Sequence, residues 1–382
     1  MMHATRTISR GVSPRAVPRR LLPTLAFLVA LLSPTAPMAQ RPAGSGGEQT
    51  RQPLPTPPGS TQPAVRQLTF VGDNGEGYFS PDGTKIIFQA KQRPEHWATQ
   101  IYLLDLATGQ ERRISRNSGD DTCSYFQPSP AGGGAAPRRI IYASTFDEIA
   151  ENPQMAAFKP EARRAKEEAE RQAGRRRSYS WEFLPYEVYS ANLDGSEVRR
   201  LTFSPGYDAE GTFSPDGSKI IFTSNRDGDL ELYTMNPDGS QQRRITHAKG
   251  YDGGAFFSPD GRSIVWRAFR GDGRHAQVFV ADADGSHERQ LTHDPAINWA
   301  PFYHPDGTKI LYSSNRDDPR NFELYLIDIA GSCIKRLTYH EGADILPVFS
   351  PDGRTILWTS NRSGTNQLHL MDFQEPSTCI NR

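Results

Sequence analysis

The chain has 382 residues, with 44 Lys+Arg against 44 Asp+Glu and a formal net charge of 0. A protein that neutralises phosphates needs a basic excess, so no nucleic-acid partner is expected. Hydrophobic residues make up only 36%, with 33 Gly and 30 Pro; such a density of turn formers suits many short strands, and no apolar run reaches the roughly 18 residues of a membrane-spanning helix.

At the N-terminus, Arg15, Arg19 and Arg20 precede a mostly apolar run over 21–32, and Ala39 offers a small residue for cleavage. Charged, apolar and small residues in that order predict a secretory signal over 1–39, although Pro37 stands where a small residue is preferred. No Cys lies near the cleavage region to carry a lipid anchor. Residues 40–63 are rich in Pro, Gly, Ser, Thr and Gln and are expected to be a disordered linker. A periplasmic or secreted location follows from the signal.

From 64 to 373 one unit repeats. Its clearest copy is 208–246, with β-rich runs around Thr212 and Phe213, then over 219–224, 231–235 and 241–246. Pro215-Asp216-Gly217 joins the first two runs: Pro pre-sets φ, Asp bonds its own backbone, and Gly accepts strained dihedrals. The same turn recurs at Asp82, Asp260, Asp306 and Asp352, with Ser129 in its place in a degenerate copy. The spacing is about 46 residues, apart from one gap that leaves room for an insertion of about 41, at 146–184. Four strands per unit and six turns predict an all-β, six-bladed β-propeller over 64–373, with a tail at 374–382. The last copy stops after its third strand, and 65–69 (VRQLT) matches the fourth-strand segment 198–202 (VRRLT). Pairing 65–69 with 367–373 would close the ring.

The segments Phe213-Ser214-Pro215-Asp216-Gly217, Ser224-Asn225-Arg226-Asp227-Gly228 and Arg199-Arg200-Leu201-Thr202 resemble the WD40-like (PD40) repeat of the TolB-like six-bladed propeller family. The resemblance covers all of 64–373. It implies a periplasmic propeller that binds partners across one end of its channel. TolB itself carries an α/β domain before its propeller, where only the linker stands here, so a Tol–Pal role is not expected. Similar propellers also cap serine peptidases of the prolyl oligopeptidase type.

Blade topology places the two PDG-type turns on one plain face. The second-to-third loops and blade-to-blade links lie on the other face, which is elaborated at 91–99, at 269–275 and at the 146–184 insertion. Variable loops on a rigid scaffold are where binding usually sits. Within the insertion, Pro160-Glu161 opens a helical stretch that Gly174 could end. Ala162, Ala165, Ala169 and Ala173 form a small-residue seam suited to resting on the propeller, and Glu167 and Arg171 are a favourable i,i+4 pair. A lid or docking element is the competing reading. Arg175, Arg176 and Arg177 form a basic run, and Tyr179, Trp181, Phe183 and Tyr186 follow it; burial beneath the insertion and stacking of a ligand both suit these aromatics.

Eight residues before each turn stand Asn74, Asp121, Asp208, Asp252, Asn298 and Asp344, with Glu76 and Glu210 two residues further in. These positions precede the innermost strands and are expected to ring the channel mouth. One reading is structural, with Asx side chains bonding turn backbone. The other is a site for a partner, a basic peptide or a cation, with oxygen ligands favouring Ca²⁺. Like carboxylates repel, and Arg226, Arg316 and Arg362 are placed to compensate. No GxSxG, HExxH, CxxC or phosphate loop occurs. His247 and His293 share a repeat position with Phe70, Phe203 and Tyr339 and read as packing residues. Neither catalytic residues nor metal ligands nor a cofactor are assigned, apart from that possible Ca²⁺.

Three cysteines are odd in number, so one stays unpaired. Cys123 lies in an inner strand and is expected buried and free. Cys333 and Cys379 fall on the plain face of neighbouring blades, and a six-residue tail segment reaches up to about 20 Å, so a Cys333–Cys379 disulfide is expected. The whole points to an exported, monomeric, non-enzymatic module that binds a protein or peptide of the cell envelope through the channel-mouth face. The alternative is a channel-mouth enzyme, such as a metal-dependent sugar lyase or hydrolase.

Overall fold

The computed structural model describes residues 63–128, 138–150, 152–173, 183–271 and 273–380. The expected signal and nearly all of the linker, the degenerate turn at Ser129, and Gly174, Arg175, Arg176, Arg177, Tyr179 and Trp181 lie outside them. Among the described residues the strands form six four-stranded antiparallel sheets. Five run in chain order from channel to rim. In the sixth, Arg66–Gln67 pairs with Gln367–Asp372, with Arg66 opposite Leu370. The Thr69 hydroxyl donates to Gln367 Oε1 at 2.8 Å, and the Leu368 N–H donates to Thr69 at 2.9 Å. The chain therefore forms a six-bladed β-propeller closed by its own two ends, which leaves neither end as an unpaired edge.

The repeated residues each perform a local task. In the PDG turn, Ser214 Oγ donates to Asp216 at 2.6 Å and accepts from the Lys219 N–H at 2.9 Å, while Gly217 takes φ 69°. The same Ser–Asp bond holds the turns at Asp82, Asp260 and Asp352. The fourth strands are shorter than the sequence pattern predicts: 241–246 contributes only Arg243–Arg244. The reason is the hydroxyl that ends the segment. Thr246 Oγ1 accepts the Leu232 N–H at 2.8 Å and so replaces a further rung of backbone pairing. Ser115, Thr202, Thr292, Thr338 and Thr69 do the same in the other blades.

A charge-matched girdle accompanies it. Arg200, Arg244 and Arg336 on the fourth strands pair with Glu187, Glu231 and Glu323 at the head of the third strands. Arg113 meets Gln100 instead. Where the fourth strand carries Gln290 or Gln67, the third carries Gln277 or Gln367. Each Arg also donates Nε to the Thr or Ser carbonyl two residues on. Between the blades the middle strands bury their side chains completely, as at Ile86, Phe222, Trp266 and Trp358.

The 146–184 segment begins with a π-helical turn (Phe146–Ala150), a 3₁₀ turn (Pro153–Phe158) and an α-helix (Pro160–Gln172). Asp147 and Glu148 grip Arg200, and Arg163 pairs with the buried Asp120 at 2.5 Å. Ala165, Ala169 and Ala173 are exposed. The expected seam does not rest on the propeller; polar arms hold this helix, because Arg163 and the acidic turn reach partners that alanine cannot. The Glu167–Arg171 pairing falls outside the described side chains. On the plain face, Cys333 and Cys379 form a disulfide with Cα atoms 5.3 Å apart. Glu375 in the same tail pairs with Lys335 and Lys309.

Candidate functional site: a roofed cavity at the channel mouth

The six Asx positions are buried, each 0–1% exposed. Asn74 donates to Gln367 Oε1 at 2.7 Å and accepts from Arg93 at 2.6 Å. Asp121 accepts from Asn117, and Asn298 donates to Asp294. Asp208 pairs with Arg226 at 2.8 Å. Asp252 accepts from Trp266 Nε1 at 2.8 Å and Arg270 at 2.6 Å, and Asp344 from Trp358 Nε1 at 3.0 Å and Arg362 at 2.7 Å. Arg316 pairs with Asp294 rather than reaching its own blade's Asn298 as a counter-charge.

The expected open ring of carboxylates is therefore not formed. Asp208, Asp252 and Asp344 each turn into their own blade toward the Arg that follows the second strand, Asn74 bonds both Arg93 and Gln367 of the neighbouring blade, and Asp121 and Asn298 bond Asn117 and Asp294 in the links that precede them. One oxygen each of Asp121, Asp208 and Asp252 keeps no hydrogen-bond partner. Burial pushes the Asp121 carboxyl up to about 6 and Asp252 up to about 7. The positions are not gathered into an oxygen cage: among the described residues no three His, Cys, Asp or Glu are placed to share a metal ion.

Two residues on, every inner strand bulges. The pairing register slips between Gly75 and Tyr78, and likewise in the other five blades. The residue at the slip takes a left-handed backbone: Glu76 φ 51°, Cys123 51°, Glu210 58°, Gly254 61°, Ala300 52° and Leu346 54°. A bulge leaves its extra residue outside the ladder and re-aims it, here into the channel. These six line a cavity of ≈130 Å³. Its floor includes Tyr78 and Phe256, whose ring centroids lie 5.7 Å apart.

Arg267, 4% exposed, enters this cavity from the second strand of blade 4. It fits because residue 254 is glycine: a Cβ there would lie 1.4 Å from Arg267 Nη1. Its guanidinium donates to Glu210 and to the Tyr251 hydroxyl and lies 3.8 Å from the Trp299 ring centroid. Burial opposes its charge, but the Glu210 carboxylate holds it protonated. Glu76 accepts from the Tyr78 hydroxyl at 3.3 Å and the Cys123 thiol at 3.7 Å. Burial, then the Glu210 charge, push Glu76 up to about 7. Cys123 is free but half-buried against the cavity, not in the core, and burial raises its thiol well above the usual range.

The exit of the insertion covers this cavity. Phe183 stands edge-on to Tyr207 and Tyr251, at 5.2 and 5.6 Å, and Tyr186 lines the wall. The rim position shared by Phe70, Phe203, His247, His293 and Tyr339 is not a packing position throughout. Phe70 and Phe203 are 72% and 71% exposed, and both histidines are exposed, because the chain here is leaving one blade for the next.

Of the sequence candidates, Glu76 and Glu210 come together in the cavity and the Asx six do not. Sequence reasoning missed Arg267, Tyr251 and the ring of slipped positions. A signal existed for Arg267. It is the charged residue at a second-strand position where the other copies have Gln89, Ala143, Thr223, Ser313 and Thr359, and Gly253-Gly254 faces it.

A ring of four-stranded blades, closed by its termini and roofed at one channel mouth, defines a six-bladed β-propeller. The model of the PD40 family, the TolB beta propeller domain, matches residues 185–272. A Tol-Pal system protein TolB from Bordetella pertussis is 62% identical over 34 residues, 9% of this chain and 8% of that protein. The matched stretch thus spans a small part of the curated relatives. Among solved structures, a putative TolB from Agrobacterium tumefaciens is 19% identical, with TM-score 0.53, over 83% of this chain and 100% of that one. An oligogalacturonate lyase from Vibrio parahaemolyticus is 14% identical, with TM-score 0.50, over 83% and 95%. Residues 185–272 thus match the PD40 model, and the chain as a whole shares the propeller fold of these structures.

Proposed function

We propose that this protein is an exported binding module of the cell envelope, periplasmic or secreted, which takes part of a protein or peptide partner at the channel mouth and acts as a monomer without catalysis. The observation that supports this is the size and wall of the cavity. At ≈130 Å³ it is well below the roughly 300–1,000 Å³ of pockets that enclose small-molecule substrates. It suits one side chain of a partner, with the exposed Phe70 and Phe203 available on the same elaborated face for further contact. No helix among the described residues is long and apolar enough to cross a membrane.

The test is capture from envelope extract with wild type, with Leu346→Trp to fill the cavity, and with 146–184 deleted. The expected result is a discrete partner held by wild type and lost by Leu346→Trp at unchanged melting temperature. Retention by both variants would remove the channel mouth as the binding surface. Parallel assays for cleavage of oligogalacturonate, with and without added Ca²⁺ or Mn²⁺, are expected to show no turnover.

A further inference from the structure

We propose that the cavity accepts a basic side chain of the partner, its ammonium or guanidinium group seated against Glu76. This rests on the binding-module reading and names its chemistry. The cavity holds two carboxylates and one guanidinium. Arg267 is committed to Glu210 and Tyr251, and Glu210 also accepts from Thr223 Oγ1 at 2.8 Å. Among the described residues, Glu76 accepts side-chain hydrogen bonds only from the neutral donors Tyr78 and Cys123; Arg267 acts on it only through space, its own bonds being spent on Glu210 and Tyr251. The site is therefore one positive charge short. A walled-in carboxylate without a counter-charge is costly, and a cation or a proton relieves it.

Three further features favour a cation with an apolar stem. The fold does not require an acid here, since Gly254, Ala300 and Leu346 occupy equivalent places with the same left-handed backbone. The walls are aromatic: Tyr78, Phe183, Tyr251, Phe256 and Trp299 all line the space. Such faces pack the methylene stem of Lys or Arg and attract its charge. The volume of ≈130 Å³ is on the scale of one long side chain rather than of a whole ligand. An acidic side chain drawn to Arg267 would meet Glu210 already bound there and Glu76 beside it.

The test uses the full chain and three small probes: n-butylammonium, 1-butanol and butyrate. Amide shifts of Glu76, Ala300 and Leu346 and the Trp299 indole are followed by NMR. Saturable binding of butylammonium is expected, about tenfold or more tighter than butanol, with no butyrate binding. Glu76→Gln, which keeps shape and folding, is expected to abolish that preference and leave butanol binding unchanged. Equal binding of butanol and butylammonium by wild type would overturn the proposal, as would preference for butyrate or an undiminished preference in Glu76→Gln. Those outcomes leave the Leu346→Trp capture result standing. If instead capture survives both Leu346→Trp and the 146–184 deletion, the channel mouth is not the binding surface, whatever the probes do.

Discussion

Two rings of six residues lie two positions apart on the same inner strands, and they behave in opposite ways. The first ring, from Asn74 to Asp344, is chemically uniform, buried and tied into its blades by Arg, Trp or amide partners. The second, from Glu76 to Leu346, contains two acids, a thiol, glycine, alanine and leucine, and faces the channel. Uniformity across blades marks a task every blade must perform, which is to anchor the inner strand. Divergence marks a position the fold leaves open, and an open position on a rigid scaffold is available to a ligand.

The largest effect that separates the rings is expected at Asp344. Asp344→Ala strands the Arg362 guanidinium and the Trp358 Nε1–H, and losing one partner of a buried pair costs roughly 3–5 kcal/mol. Urea denaturation is expected to show that loss for Asp344→Ala and less than about 1 kcal/mol for Leu346→Ala on the second ring. Comparable losses would erase the distinction between them.

The girdle tests the same logic of scaffold uniformity. Glu187→Gln leaves Arg200 with a weaker partner and is expected to cost about 1–3 kcal/mol. Adding Arg200→Gln recreates the Gln–Gln combination of blade 4 but also releases Asp147 and Glu148, so partial recovery is expected. A double variant no better than the single would show that the blades are not interchangeable at this position.

Glu76 sharpens the comparison through pH. Its folded-state pKa is raised to about 7 from an ordinary 4.5. Between those values the folded state holds the proton and the unfolded state has released it, so this group's contribution is present in acid and lost as pH rises from about 4.5 through 7. Glu76→Gln is expected to match wild type at pH 4 and to exceed it at pH 8 by up to roughly 3 kcal/mol, measured by melting at both pH values. The smallest effect is at Ala300, where φ is 52°. Ala300→Gly relieves the left-handed backbone but adds unfolded-state entropy, so a net change within about 0.5 kcal/mol is expected.

Much of the fold was legible because its determinants are local. Asp216-Gly217 forms its turn from bonds within five residues, and the repeated spacing counts the blades. The match of 65–69 to a fourth strand exposed the closure, since the missing strand of one blade had to come from the other end of the chain. The seam of Ala162, Ala165, Ala169 and Ala173 misled, because helical periodicity says which residues share a face but not what that face meets. The Asx ring misled for a related reason. Its spacing and the compensating Arg226 and Arg362 were legible, but not that these pairings, with Arg270, draw the side chains away from the channel and into the blades.

What the sequence determined by itself is the repeat: blade number, turn chemistry, the residues that recur and the order in which the strands pair. What only the tertiary structure decided is the cavity. A bulge shifts the side-chain alternation by one residue, and with it the choice of which acids meet the channel. Nothing in a stretch such as Asp208–Phe213 announces that slip, because it arises where six strands converge on one axis and each must turn its backbone aside. Arg267 of blade 4 reaches Glu210 of the neighbouring blade 3, through space that exists only because Gly254 leaves it. Contacts between blades depend on packing around the ring, and no local pattern encodes them.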